Sequence, residues 1–162
     1  MHTTSQRTLI VCALAGMLFA LAVTLLAVKS ASAVPPGPIP FPNSTERGIC
    51  EFPVRVHTTG RSKVIETGSG DVLFTNPGLR VTLTNLEEPA NTVTYRDSGP
   101  VRMTELEEGE VRLVLTGRNV VYSKSIGMFL AIGHFSTIID EEGNFTPLRG
   151  HGRLIDICAR LA

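Results

Sequence analysis

The chain has 162 residues, a formal net charge of +0 at pH 7 and an apolar content of 43%. That length suits one domain and excludes a large multidomain assembly. The charge balance offers no electrostatic case for nucleic acid or an anionic membrane surface, and the basic residues are scattered along the sequence.

The first element is a leader. Arg7 precedes the apolar run LIVCALAGMLFALAVTLLAV, in which Thr24 is the lone polar side chain, and Ala31-Ser32-Ala33 follows as an A-x-A cleavage site. The expectation is a signal peptide over residues 1–33, cut after Ala33, and a secreted or extracellular product. The alternative is a retained N-terminal membrane anchor with the domain outside, since an apolar run of this length can span a bilayer. Both readings leave Arg7 on the cytoplasmic side. Cleavage leaves 162 − 33 = 129 residues. All the acidic residues lie beyond Ala33 while Arg7 and Lys29 are lost, so the mature charge is 13 − 15 = −2.

Residues 34–47 hold Pro35, Pro36, Pro38, Pro40 and Pro42. Proline fixes φ and donates no backbone hydrogen bond, so this stretch reads as an extended spacer. The folded domain is placed at residues 48–162. Of the three cysteines, Cys12 goes with the leader. Cys50 and Cys158 remain, and in an oxidising compartment they pair as a staple across the domain.

From Gly48 onward, apolar and polar residues alternate. Val54 and Val56 flank Arg55. Leu79, Val81 and Leu83 share one face. Val93 and Tyr95 alternate with Thr92, Thr94 and Arg96, and Val111, Leu113 and Leu115 fall on one side. This period of 2 marks strands with one face on a core. Turn signals such as GSGD, NPG, EEPAN and DEEGN separate the runs. They predict an all-β fold: a single antiparallel β-sandwich or β-barrel of about eight or nine strands. Thr82 and Thr84 beside Thr92 and Thr94 predict a cross-strand threonine ladder if those runs form a hairpin. The stretch Met128–Ile132 is apolar on both faces. That predicts a central strand covered on both sides, or one lining a closed barrel, with Gly133 permitting a bend or bulge. LTGRN reads as a strand exit, RGHGR as a turn and LIDICARLA as a closing strand in preference to a helical turn.

Chemistry is sparse. GxSxG, P-loop and HExxH motifs are absent from the sequence. His57, His134 and His151 match no metal spacing, so no metal site and no cofactor are expected. The acidic turn DEEGN lacks the ligand spacing of a calcium loop and reads as a tight connection between Ile139 and Phe145. Asn43 and Asn144 open N-x-T sequons. The residues singled out as possible ligand-facing groups are Tyr95, Arg118, Tyr122 and His134; no catalytic residue is assigned.

The blocks FTNPGLRVTLTN, VLTGRN, FLAIGHFSTIIDEEGN and GRLIDICARLA resemble a group of small secreted β-rich proteins from actinobacteria. The resemblance runs from about Cys50 to Ala162. It implies an exported single-domain protein with a leader and supplies no mechanism and no site residue. The functional expectation is a non-enzymatic extracellular or envelope-associated binding domain with an unknown partner there, and no nucleic acid. Membrane contact is expected only if the leader is retained. The alternative is a small β-barrel enzyme or carrier whose lumen takes an apolar small molecule.

Overall fold

The computed structural model describes residues 35–38 and 43–162. The expected leader, with Cys12 and the A-x-A site, lies outside the described residues, as do residues 34 and 39–42. No helix among the described residues is long and apolar enough to cross a membrane.

Among the described residues the chain is β, apart from one 3-10 turn at Glu107–Gly109 and a closing helix. Two antiparallel sheets form. The larger has the order β1-β4-β5-β8-β9-β10-β11: Gly37–Pro38, Arg61–Glu66, Val72–Thr75, Val101–Glu105, Val111–Ser123, Gly127–Ile139 and Arg149–Asp156. The smaller has the order β2-β3-β6-β7: Asn43–Glu46, Val54–Thr59, Arg80–Asn85 and Thr92–Arg96. Neither sheet closes on itself. Strands β3 to β11 number nine, within the eight or nine expected from the domain's alternation. β1 and β2 come from the proline-rich stretch, where Asn43–Glu46 pairs with β3. The spacer reading of 34–47 therefore gives way at these residues, and the folded unit starts before Gly48. Pro38 is tolerated because β1 is an edge strand, where a missing N–H costs no ladder bond.

Alternation builds two cores. Val54, Val56, Val81 and Leu83 of the smaller sheet pack on Met128 and Leu130 of β10, with Ile157 and Leu161 closing the cluster. Each such side chain stabilises the fold by roughly 1.5–3 kcal/mol on burial. On the opposite face of the long hairpin, Leu115, Val121, Ala131 and Phe135 form the second cluster, with Val101, Phe145 and Leu148 against it. The Met128–Ile132 stretch thus has a core on each side, as its unbroken apolar run predicts.

The C-terminal segment divides. β11 runs to Asp156, and helix α1 spans Cys158–Leu161, so LIDICARLA is only in part the expected strand. Ile157 and Leu161 share a helix face four residues apart, and both are buried. This explains the turn: a strand would send Ile157 and Leu161 to the same side only at greater separation. The disulfide Cys50–Cys158 joins α1 to the segment before β3, with Cα atoms 5.4 Å apart.

Candidate functional site: a basic sheet face

Residues directly opposite in an antiparallel pair share a face, as do residues two apart along a strand. These two rules sort the larger sheet. Arg102 lies opposite Val114, which lies opposite Ser136, which lies opposite Arg149. Thr116, His134 and His151 form the next row, and Arg118, Ile132 and Arg153 the one after. Arg112 sits opposite Thr104 and Ile138. All of these residues therefore occupy one face.

Arg102, Arg112, Arg118, Arg149 and Arg153 on that face are exposed, as are His134 and His151. Toward β1, Ile65 shares this face through Leu73 and Arg102, and so do Lys63 and Arg61, two and four positions from it. The strand carboxylates Glu66, Glu105 and Asp156 fall on the opposite face, in register with Val72, Val111 and Phe129. One acid sits at the rim: Asp71 Oδ1 accepts from the Thr104 hydroxyl at 2.7 Å and Oδ2 from the Ser69 hydroxyl at 3.1 Å. Those hydrogen bonds, with Arg102 nearby, hold its carboxyl below the usual carboxylate range.

The face is creased. Gly117, Gly133 and Gly152 lie directly opposite one another, between the His134 row and the Arg118 row. All have positive φ, at 82°, 140° and 134°. A Cβ on Gly133 would stand 2.4 Å from the His151 carbonyl oxygen. The ladder nonetheless runs on without a shift of register, so Gly133 makes no bulge. LTGRN and RGHGR, read as an exit and a turn, are therefore strand interiors. Close strand approach explains their glycines. It also brings the His134 and His151 rings into a stack, 5.7 Å between centroids.

Beside the crease, Leu73, Pro100, Arg102, Val114, Thr116 and His134 line a hollow of about 420 Å³. A second hollow of about 300 Å³ includes Arg112, Ser136, Ile138 and Arg149. Each combines an apolar floor with arginine at its wall. Arginine's planar fork suits carboxylate and phosphate oxygens.

The four residues singled out from the sequence separate into two pairs. Arg118 and His134 share the basic face, on neighbouring rows. Tyr95 and Tyr122 instead pack half-buried against the first core. Burial raises the Tyr122 hydroxyl above its ordinary pKa, with a hydrogen bond to Ser44 opposing the shift. His57 lies on the other sheet, hydrogen-bonded to Asn43. No trio of histidine, cysteine or carboxylate that could hold a metal ion occurs among the described residues.

The scattering of basic residues along the chain does not survive folding: the register gathers them. Sequence reading missed Arg102, Arg112, Arg149 and Arg153. The usable signal was an even-numbered series in β9, Arg112 and Arg118, set against the buried Leu113 and Leu115.

No protein-family model matches this chain, and no curated protein or solved structure matches it.

Proposed function

We propose that this is an exported, non-enzymatic binding domain, an open two-sheet sandwich that engages an acidic envelope polymer through the basic face of its larger sheet. The observation that carries the reading is the register itself, which places the arginines of β8, β9 and β11 side by side and sends the strand carboxylates to the other face. A surface of one sign raises local counter-ion concentration and speeds encounter with an oppositely charged partner. The apolar floors at Val114 and Ile138 give a polymer backbone something to lie on between the charges.

Long-chain polyphosphate and poly-L-glutamate are the probes. Both bind, and affinity drops steeply as sodium chloride is raised past the concentration where screening shortens to about 8 Å. The pair Arg112→Glu and Arg149→Glu weakens binding at least tenfold, about 1.4 kcal/mol. The exposed pair Lys124→Glu and Arg160→Glu, off this face, leaves it within a factor of about two. Equal losses for the two pairs refute a dedicated face. Tighter binding of single-stranded DNA than of either probe replaces the envelope polymer with a nucleic acid.

A further inference from the structure

Among the described residues, two buried side-chain oxygens have no hydrogen-bond partner: Oδ1 of Asp97 and Oδ1 of Asn119. Both residues are more than nine-tenths buried, at 8% and 2% exposure. They are not loosely placed. The Asp97 N–H donates to the Leu79 carbonyl at 3.0 Å, and its Oδ2 accepts from the Val120 N–H at 3.2 Å. The Asn119 amide nitrogen donates to the Thr116 carbonyl at 3.0 Å. Each side chain is therefore fixed by one bond, through Oδ2 in Asp97 and the amide nitrogen in Asn119, while its Oδ1 goes unused. Leaving a buried acceptor without a donor is unfavourable, and a native fold that retains two of them has a reason to.

Asp97 and Asn119 line the same hollow, of about 230 Å³. Its apolar walls include Val101, Leu113, Leu115 and Phe145, while Asn76 and Tyr122 add polar groups. The unused atoms are acceptors, and one belongs to a carboxyl group. Their complement is a molecule with several N–H donors, a single positive charge and a short apolar body. A divalent cation fits less well, because Asp97 is the sole carboxylate lining the hollow. A few polar groups set in an apolar hollow are the usual make-up of a small-molecule site.

The geometry points to a second binding site, separate from the basic face, in which Asp97 and Asn119 take the ammonium group of a small alkylamine into the hollow beneath β9. The ammonium supplies donors to both orphaned oxygens and a charge to the carboxylate, while the alkyl part lies against Leu113 and Leu115. Burial raises the Asp97 carboxyl to about 6, opposed by the Val120 N–H. The carboxylate form that an ammonium requires is thus dominant at pH 7.5 and scarce at pH 5. Asp97 and Tyr122 are the titratable residues lining the hollow, and Tyr122, raised from an already high value, does not change charge in that range.

The test is an NMR titration of the intact folded chain with n-butylammonium chloride, with n-butanol and potassium chloride as controls. The expected result is saturable movement of the amide signals of Asn119, Val120 and Val121 by n-butylammonium, with much weaker movement by either control. Affinity falls about tenfold from pH 7.5 to pH 5, a measurement that needs no variant. Asp97→Asn, which keeps the side chain's shape and an acceptor for Val120, weakens binding at least tenfold, its fold checked by the unchanged spectrum of β3 and β6. Absence of a saturable shift, or equal response to n-butanol, overturns the site and leaves the hollow to water. Binding that is indifferent to both pH and Asp97→Asn overturns it as well.

Discussion

Asp97 works against the fold at neutral pH. Its carboxyl titrates near 6 in the folded chain, above the ordinary 3.8, because burial disfavours the charge. The folded state therefore binds a proton that the unfolded state has already released between those two values. Stability is greatest below about 4 and falls as pH rises to 6, by up to about 3 kcal/mol for this group alone. Asp71 and Asp140 carry the opposite sign, since hydrogen bonds lower both. Their contribution is present above 3.8 and lost as pH falls below it, so it leaves the window from 4 to 6 to Asp97. Urea unfolding measured at pH 4 and at pH 7 should show the parent losing stability across that interval. Asp97→Asn should flatten the loss, and parallel pH curves for parent and variant would show that Asp97 is not buried as described. Asp97 is invisible in the sequence because YRDSGP reads as an ordinary polar exit from β7. What buries it is β9, whose Val120 N–H arrives from 23 residues away.

The long hairpin of β9 and β10 depends on its glycines. Gly133 has φ of 140° and no space for a side chain, with the His151 carbonyl oxygen and Gly152 Cα both inside contact distance of any added Cβ. Gly133→Ala should cost roughly 2–3 kcal/mol or more. Gly68→Ala, at a position with nothing within 4 Å, should stay within about 0.5 kcal/mol. Similar melting temperatures for the two variants would remove the crease from the account. Other elements were open to reading from the sequence. Thr82 bonds Thr94 at 2.9 Å and Thr92 bonds Thr84 at 3.1 Å, because alternation alone puts these residues on one face. Asp140 accepts from the Asn144 backbone N–H at 2.7 Å and the Ile139–Phe145 bridge closes the turn, since aspartate at a turn's first position bonds forward to the backbone. Gly117 and Gly152 misled because a glycine's local signal is the same in a turn and in a strand. The difference lies in what the partner strand places opposite, which no local window contains.

Over the whole molecule, charge is segregated rather than absent. Acidic residues gather in turns at Glu87, Glu88, Glu107, Asp140, Glu141 and Glu142 and, at Glu66, Glu105 and Asp156, on the face of the larger sheet opposite its basic one. The outer face of the smaller sheet follows the same rule, with Arg55, His57, Arg80 and Arg96 beside the threonines. A formal charge of +0 conceals this, because composition sums over directions. The cysteine pairing is legible for the opposite reason: two cysteines in the proposed mature chain leave one intramolecular pairing. Closing a loop of 108 residues stabilises the fold by about 4–5 kcal/mol in the chain-entropy account. Replacing both Cys50 and Cys158 by serine should therefore lower the melting temperature by roughly 10–20 °C. A variant that melts with the parent would mean that the bond restrains nothing the fold does not already hold.

The same bond changes how the molecule carries load. Tension applied to the backbone just before Cys50 and just after Cys158 runs through the sulfur bridge and leaves the 108-residue loop slack. The strands are not in that path, so they need no mechanical strength of their own along it. A single peptide-bond cut anywhere between the two cysteines likewise leaves the pieces covalently joined. Pull between the chain segments that flank the two cysteines is thus transmitted without unravelling the strands enclosed by the bridge.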